Sequence, residues 1–85
     1  MSFKLPQFID LHGLPIQNGF NKTLMFIKLA HMRKRYSIKI ITGRSGKMNH
    51  EFERWMEHVS IKNYVKKWKW VDDHGAWLVY LSYKD

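Results

Sequence analysis

The chain has 85 residues, 45% of them hydrophobic, with five Phe, four Trp and four Tyr, which excludes a disordered chain and leaves room for one core rather than two. It contains no cysteine, which excludes a disulfide scaffold and a thiolate metal site. Fifteen Lys plus Arg against seven acids give a formal charge of +8 and point to a polyanion as partner, nucleic acid before an acidic membrane surface.

Residues 1–6 read as an N-terminal tail and residues 7–85 as a single domain. The N-terminus has no secretory h-region and no apolar run approaches the ~20 residues of a membrane span, so a cytoplasmic address without membrane association is expected. Phe8-Ile-Asp-Leu-His12 reads as the first strand, with Gly13 ending it and Pro15 barring an immediate helix. Side chains alternate along a strand, so Asp10 and His12 point to the same side at its end. They form either a chemical pair or a solvent-facing pair in which Asp10 accepts a hydrogen bond.

From Asn18 to Lys34 the pattern turns helical. Phe20, Leu24 and Ile27 form an apolar line, widened by Met25, Leu29 and Met32. Asn18 or Asn21 serves as N-cap, and Arg33-Lys34-Arg35 places positive charge at the negative helix end. His31 continues the apolar face and reads as a packed histidine.

Tyr36–Ile41 is a second strand, its Ile38, Ile40 and Ile41 marking it as buried. The turn Thr42-Gly-Arg-Ser-Gly-Lys47 leads to a helix entered near Asn49. Backbone N–H groups at a helix start, with Arg44 and Lys47 beside them, suit a phosphate, although any strand-to-helix connection favours Gly, Ser and Asn. The ATP-binding P-loop is excluded by spacing, since it needs glycine at position 41 and Ser or Thr at position 48, where this chain has Ile41 and Met48. A strand–helix–strand unit of this length predicts parallel neighbours. Asp10, His12 and Gly13 are then expected beside Thr42, Gly43, Arg44, Ser45 and Gly46, at the edge where ligands of such sheets bind.

The second helix is expected over Asn49–Val59, with Phe52, Trp55, Met56 and Val59 inward. Glu51 and Glu53 in its first turn would repel a phosphate lodged there. Lys62–Asp72 and Ala76–Tyr83 read as a terminal hairpin about Asp72-Asp-His-Gly75. On the third strand Lys66, Trp68 and Trp70 share one face, and Val65, Lys67, Lys69 and Val71 the other. With two helices covering one side of four strands, such Lys–Trp interleaving either stacks bases and holds phosphates or fills the core and its rim.

Ile9-Asp-Leu-His-Gly13 resembles the LDLHG motif of the Smr (small MutS-related) domain, and Ile40-Ile-Thr-Gly-Arg-Ser-Gly46 resembles its second, HGxG or TGxG, motif. Phe26-Ile27, Ala30 and the Gly75-Ala76 turn lie where the family carries such residues, so the resemblance spans residues 8–84. It implies an α/β (α+β) two-layer sandwich, β-α-β-α-β-β, with a four-stranded mixed sheet, similar to the C-terminal domain of translation initiation factor three. It also implies endonuclease activity on DNA or RNA, in some members on messenger RNA at stalled ribosomes. The motifs fall on Asp10, His12 and Gly13 and on Thr42, Gly43 and Gly46. Two departures stand out: Thr42 replaces histidine, and Ser45 stands where TGxG would have its second glycine.

The chemistry of phosphodiester cleavage then assigns roles. His12 is the general acid or base and Asp10 orients its imidazole. Gly13, Thr42, Gly43, Arg44, Ser45, Gly46 and Lys47 hold the phosphate, and Lys66, Lys67 and Lys69 make accessory nucleic-acid contacts. RNA is favoured over DNA because its own 2′-hydroxyl can be the nucleophile with no metal. Divalent-metal catalysis would have only Asp10 with Glu51 or Glu53 as ligands, so no cofactor is expected. The expected protein is a monomeric RNA endonuclease, with the ribosome as a candidate partner. The alternatives are a non-catalytic nucleic-acid or ribosome-binding module, and DNA nicking.

Overall fold

Ile38 and Ile40 are buried to 1% and 0% exposure, as their β-branched run requires of a strand enclosed by neighbours. In the computed structural model, which describes residues 5–43, 46–73 and 75–83, their strand β2 (Ser37–Ile41) has a neighbour on either edge. On one side lies β1 (Phe8–Asp10), parallel, with Asp10 opposite Ile41. On the other lies β4 (Ala76–Leu81), antiparallel, which pairs in turn with the edge strand β3 (Val65–Val71). The helices α1 (Ile16–Met32) and α2 (Lys47–Met56) supply the second layer. Among the described residues this gives the expected β-α-β-α-β-β chain and a mixed sheet of order β1-β2-β4-β3.

The core lies between sheet and helices. Phe52 stacks on Trp77 with centroids 4.5 Å apart, Trp70 meets Trp77 edge-on at 5.0 Å, and Phe20 meets Trp55 edge-on at 5.8 Å. Each fully buried side chain of this kind contributes about 1.5–3 kcal/mol through burial. The packed reading of His31 holds: it stacks on Tyr83 at 4.5 Å, and a ring nitrogen lies 2.7 Å from the Ser82 carbonyl oxygen. Tyr83 donates its hydroxyl to the Arg35 carbonyl at 2.6 Å, and burial raises its phenol above the ordinary value.

Several expected details change. Helix α1 starts at Ile16, directly after Pro15 and not at Asn18, and no described side chain caps it. Proline is tolerated there because first-turn N–H groups have no helical partner to lose. The buried face of α1 is Gly19, Thr23, Phe26, Ile27 and Ala30, while Met25 and Met32 stand 65% and 74% exposed. The small residues set that face: a Cβ on Gly19 would lie 2.7 Å from Met48 Sδ, so glycine lets α1 settle against α2.

Helix α2 starts at Lys47, which puts Glu51 and Glu53 beyond its first turn and removes the expected repulsion. It ends at Met56, and Val59, expected in the core, is 72% exposed. Strand β3 starts at Val65 rather than Lys62; the preceding turns are pinned by fully buried Ile61. Leu5, expected in the tail, is buried, and its carbonyl accepts from Arg35. The 72–75 hairpin is present, with Asp72 and Asp73 at φ 53° and 57°. Its His74 lies outside the described residues. No described helix is long and apolar enough to cross a membrane.

Candidate functional site

Parallel pairing of β1 with β2 carries the chain ends that follow them to one edge of the sheet. The Leu11 N–H donates to the Ile41 carbonyl at 2.7 Å, extending the pairing one residue beyond β1. Leu11 is fully buried, so the next residue, His12, turns outward and is exposed. Opposite it the chain leaves β2 through Thr42 and Gly43. A Cβ built on Gly43 would lie 3.3 Å from His12 Cδ2, so the imidazole faces the position that a side chain on residue 43 would occupy. Gly43 also has φ 93°, a conformation that other residues rarely adopt. The expected meeting of His12 with the glycine turn is therefore present.

A depression of about 330 Å³ opens here, walled by His12, Gly13, Thr42 and Lys47 over Leu14 and Met48. Gly46 enters α2 at φ 107° and no described side chain caps that helix, so its first N–H groups and the exposed Lys47 adjoin the depression. This is the positive end of the helix dipole. A wider depression of about 550 Å³ holds His31, Lys62 and Tyr64 but adjoins the C-terminal end of α1, the negative end of its dipole, and a groove of about 380 Å³ along Leu24, Met25 and Leu29 is apolar.

Other candidates have different surroundings from those expected. Asp10 Oδ1 accepts from the backbone N–H of His12 at 2.9 Å; the described contact fixes the turn that presents the histidine, and is not to its ring. The Thr42 and Gly43 N–H groups both donate to the Gly75 carbonyl, at 3.2 and 3.0 Å, and so are spoken for by the hairpin. Thr42 is 2% exposed, and its hydroxyl donates to Asn49 Oδ1. The same oxygen accepts from Trp77 Nε1 at 3.1 Å. Asn49, read from the sequence only as a helix start, thus ties the turn after β2 to both α2 and β4. Arg44 and Ser45 lie outside the described residues. No three described His, Asp or Glu side chains gather as metal ligands.

The accessory lysines sit on the sheet face away from the helices. Val65 pairs with Leu81 but Lys67 with Tyr80, leaving Lys66 as the extra residue of a β-bulge. Lys67 and Lys69 lie opposite Tyr80 and Leu78 on that open face, whereas Trp68 and Trp70 lie opposite Val79 and Trp77 on the helix side. Of the two readings of the lysine–tryptophan alternation, the one in which the aromatics fill the core and its rim holds. The tryptophans belong to the core and its rim, and the rings among the lysines are tyrosines.

A family model for the Smr domain matches residues 9–82. The fold is similar to that of the crystal structure of the Smr domain of Thermus thermophilus MutS2, at TM-score 0.80 and 16% identity, covering 91% of this chain and 99% of that one. A search of curated proteins finds no match.

Proposed function

The chain belongs to the Smr domain family, and from that premise we propose that it is an endonuclease acting on RNA, with His12 as the group that moves protons. The observation that carries the proposal is the placement of His12 facing Gly43, beside Lys47 and the start of α2, where no described side chain caps the helix. A phosphodiester lying in this depression has a cation and helix N–H groups near its oxygens, and an imidazole within reach of a neighbouring sugar hydroxyl.

The chemistry follows from those groups. His12 accepts the proton of the 2′-hydroxyl as its oxygen attacks phosphorus, and the bond from phosphorus to the 5′-oxygen breaks. The leaving oxygen takes a proton from solvent or from the imidazolium. The products are a 2′,3′-cyclic phosphate and a 5′-hydroxyl end. Helix N–H groups and Lys47 offset the charge that builds on the phosphoryl oxygens, while Asp10 holds the turn on which His12 stands. Messenger RNA on the ribosome is the substrate setting that the family resemblance adds.

A specific observation supports a second reading, a module that binds nucleic acid without cutting it. Asp10 accepts from the His12 backbone, Thr42 is buried, and the Thr42 and Gly43 N–H groups are taken by Gly75, so the depression offers His12 no described second imidazole or carboxylate. The two readings divide on a labelled RNA compared with the same RNA carrying 2′-deoxyribose throughout, each with and without chelator. Cleavage of the RNA alone, chelator or not, supports the proposal. Cleavage of both strands, lost with chelator, points instead to metal-assisted nicking. Binding of both with neither cut supports the module.

A further inference from the structure

The sheet face opposite the helices carries a charge pattern that the edge site does not use. Its rows in register are Phe8, Lys39, Leu78 and Lys69, then Ser37, Tyr80 and Lys67, with Tyr36 and the bulge residue Lys66 beyond them. Tyr36 and Phe8 are 67% and 52% exposed, large for aromatic rings. Tyr36 meets Tyr80 edge-on at 5.6 Å, with Lys66 Nζ 5.8 Å from the Tyr36 centroid and Lys67 Nζ 4.9 Å from that of Tyr80. Of the acids near this face, Asp72 pairs with Lys39 and Asp10 accepts from the His12 backbone. Glu51 lies on α2, in the layer behind the sheet, while Glu53 of the same helix shares a depression at the β3 edge with Lys69. Lys66 and Lys67 thus stand beside the rings of Tyr36 and Tyr80, with Lys69 one row along the same face.

We propose that this open face binds single-stranded nucleic acid, stacking bases on Tyr36 and Phe8 and holding phosphates with Lys66, Lys67 and Lys69. Rings flanked by mobile cations suit a strand whose bases are unpaired, because a duplex hides the base faces that stack. A protein partner would favour an apolar patch free of cations, whereas here each tyrosine has an ammonium beside it. The face also leads to the edge site. From Tyr36 to Ile41 the strand direction spans roughly 17 Å at about 3.3 Å per residue. A strand laid along it from Tyr36 reaches Asp10 and His12. The inference rests on the nucleic-acid reading above and gives that substrate its strandedness and path.

The test uses the whole chain with His12→Ala as parent, so that binding is read without cleavage. Fluorescence anisotropy with a labelled single-stranded RNA of about 16 nucleotides spans the usual footprint of such surfaces. Adding Tyr36→Ala should weaken binding by about five- to 150-fold, the range for loss of one stacked base, while Tyr36→Phe retains affinity. Adding Lys66→Ala with Lys67→Ala should flatten the dependence of log affinity on log salt by roughly 0.7 for each lysine. The matching duplex should bind more weakly than the strand. If the parent binds RNA but the tyrosine and lysine changes leave affinity and salt slope unchanged, the open face is not the surface, and the nucleic-acid reading survives. Equal affinity for duplex and strand overturns the stacking assignment. No RNA binding at low salt overturns both the inference and the reading beneath it, leaving the face to another class of partner.

Discussion

At the scale of single residues, the site depends on how three side chains or their absence are placed. His12 is presented by a turn held by Asp10, it faces Gly43 where glycine has no Cβ, and Asn49 anchors the residue before that glycine. Removing the anchor should be felt in stability. Asn49→Ala leaves Trp77 Nε1 without its acceptor and the buried Thr42 hydroxyl with only the Gly43 carbonyl at 3.3 Å, and should cost about 1–3 kcal/mol in urea unfolding followed by tryptophan fluorescence. A loss under a few tenths would show that the turn after β2 holds itself. His12, Gly13, Thr42 and Gly43 were legible in the sequence because two local motifs, joined by one crossover, fix their meeting. Asn49 was not, because its oxygen joins donors from residues 42 and 77, which share no local pattern. Asp10 was placed correctly at the strand end, but which donor a carboxylate chooses depends on backbone geometry that spacing does not show.

At the scale of elements, α1 separates what periodicity can find from what it misses. Strand β2 was legible because apolar β-branched residues mark burial on both edges. The face of α1 is set by small residues and not by large ones: Gly19, Thr23 and Ala30 bury completely or nearly so, while Met25 and Met32 do not. The two kinds of position should respond oppositely. Ala30→Leu forces extra volume into a filled layer and should destabilise by about 1–3 kcal/mol. Met32→Lys, at a position that the sequence pattern placed in the core, should stay within about 0.5 kcal/mol of the parent. Thermal melts of both variants decide this, and the reverse order would mean that α1 buries its methionine face. The bulge at Lys66 was equally hidden, since one inserted residue reverses the expected face of its neighbours without altering composition.

At the scale of the whole molecule, the sheet separates a helix-covered apolar core from an open face that carries lysines and tyrosines, and one edge joins the two at His12. The net charge of +8 draws a polyanion to such a molecule from any direction, but among the described residues that edge combines an imidazole, Lys47 and a helix start with no side-chain cap. The central claim is that RNA is cut there by proton transfer through His12. The most direct measurement is the single-turnover cleavage rate of labelled RNA by purified His12→Ala against the wild type, with circular dichroism confirming equal folding. His12 is exposed, so its truncation leaves no cavity and the fold and RNA affinity should persist. The account predicts that the wild type cuts and the variant falls at least about a hundredfold, the lower end for loss of a general acid or base. Cleavage by folded His12→Ala at the wild-type rate would contradict it.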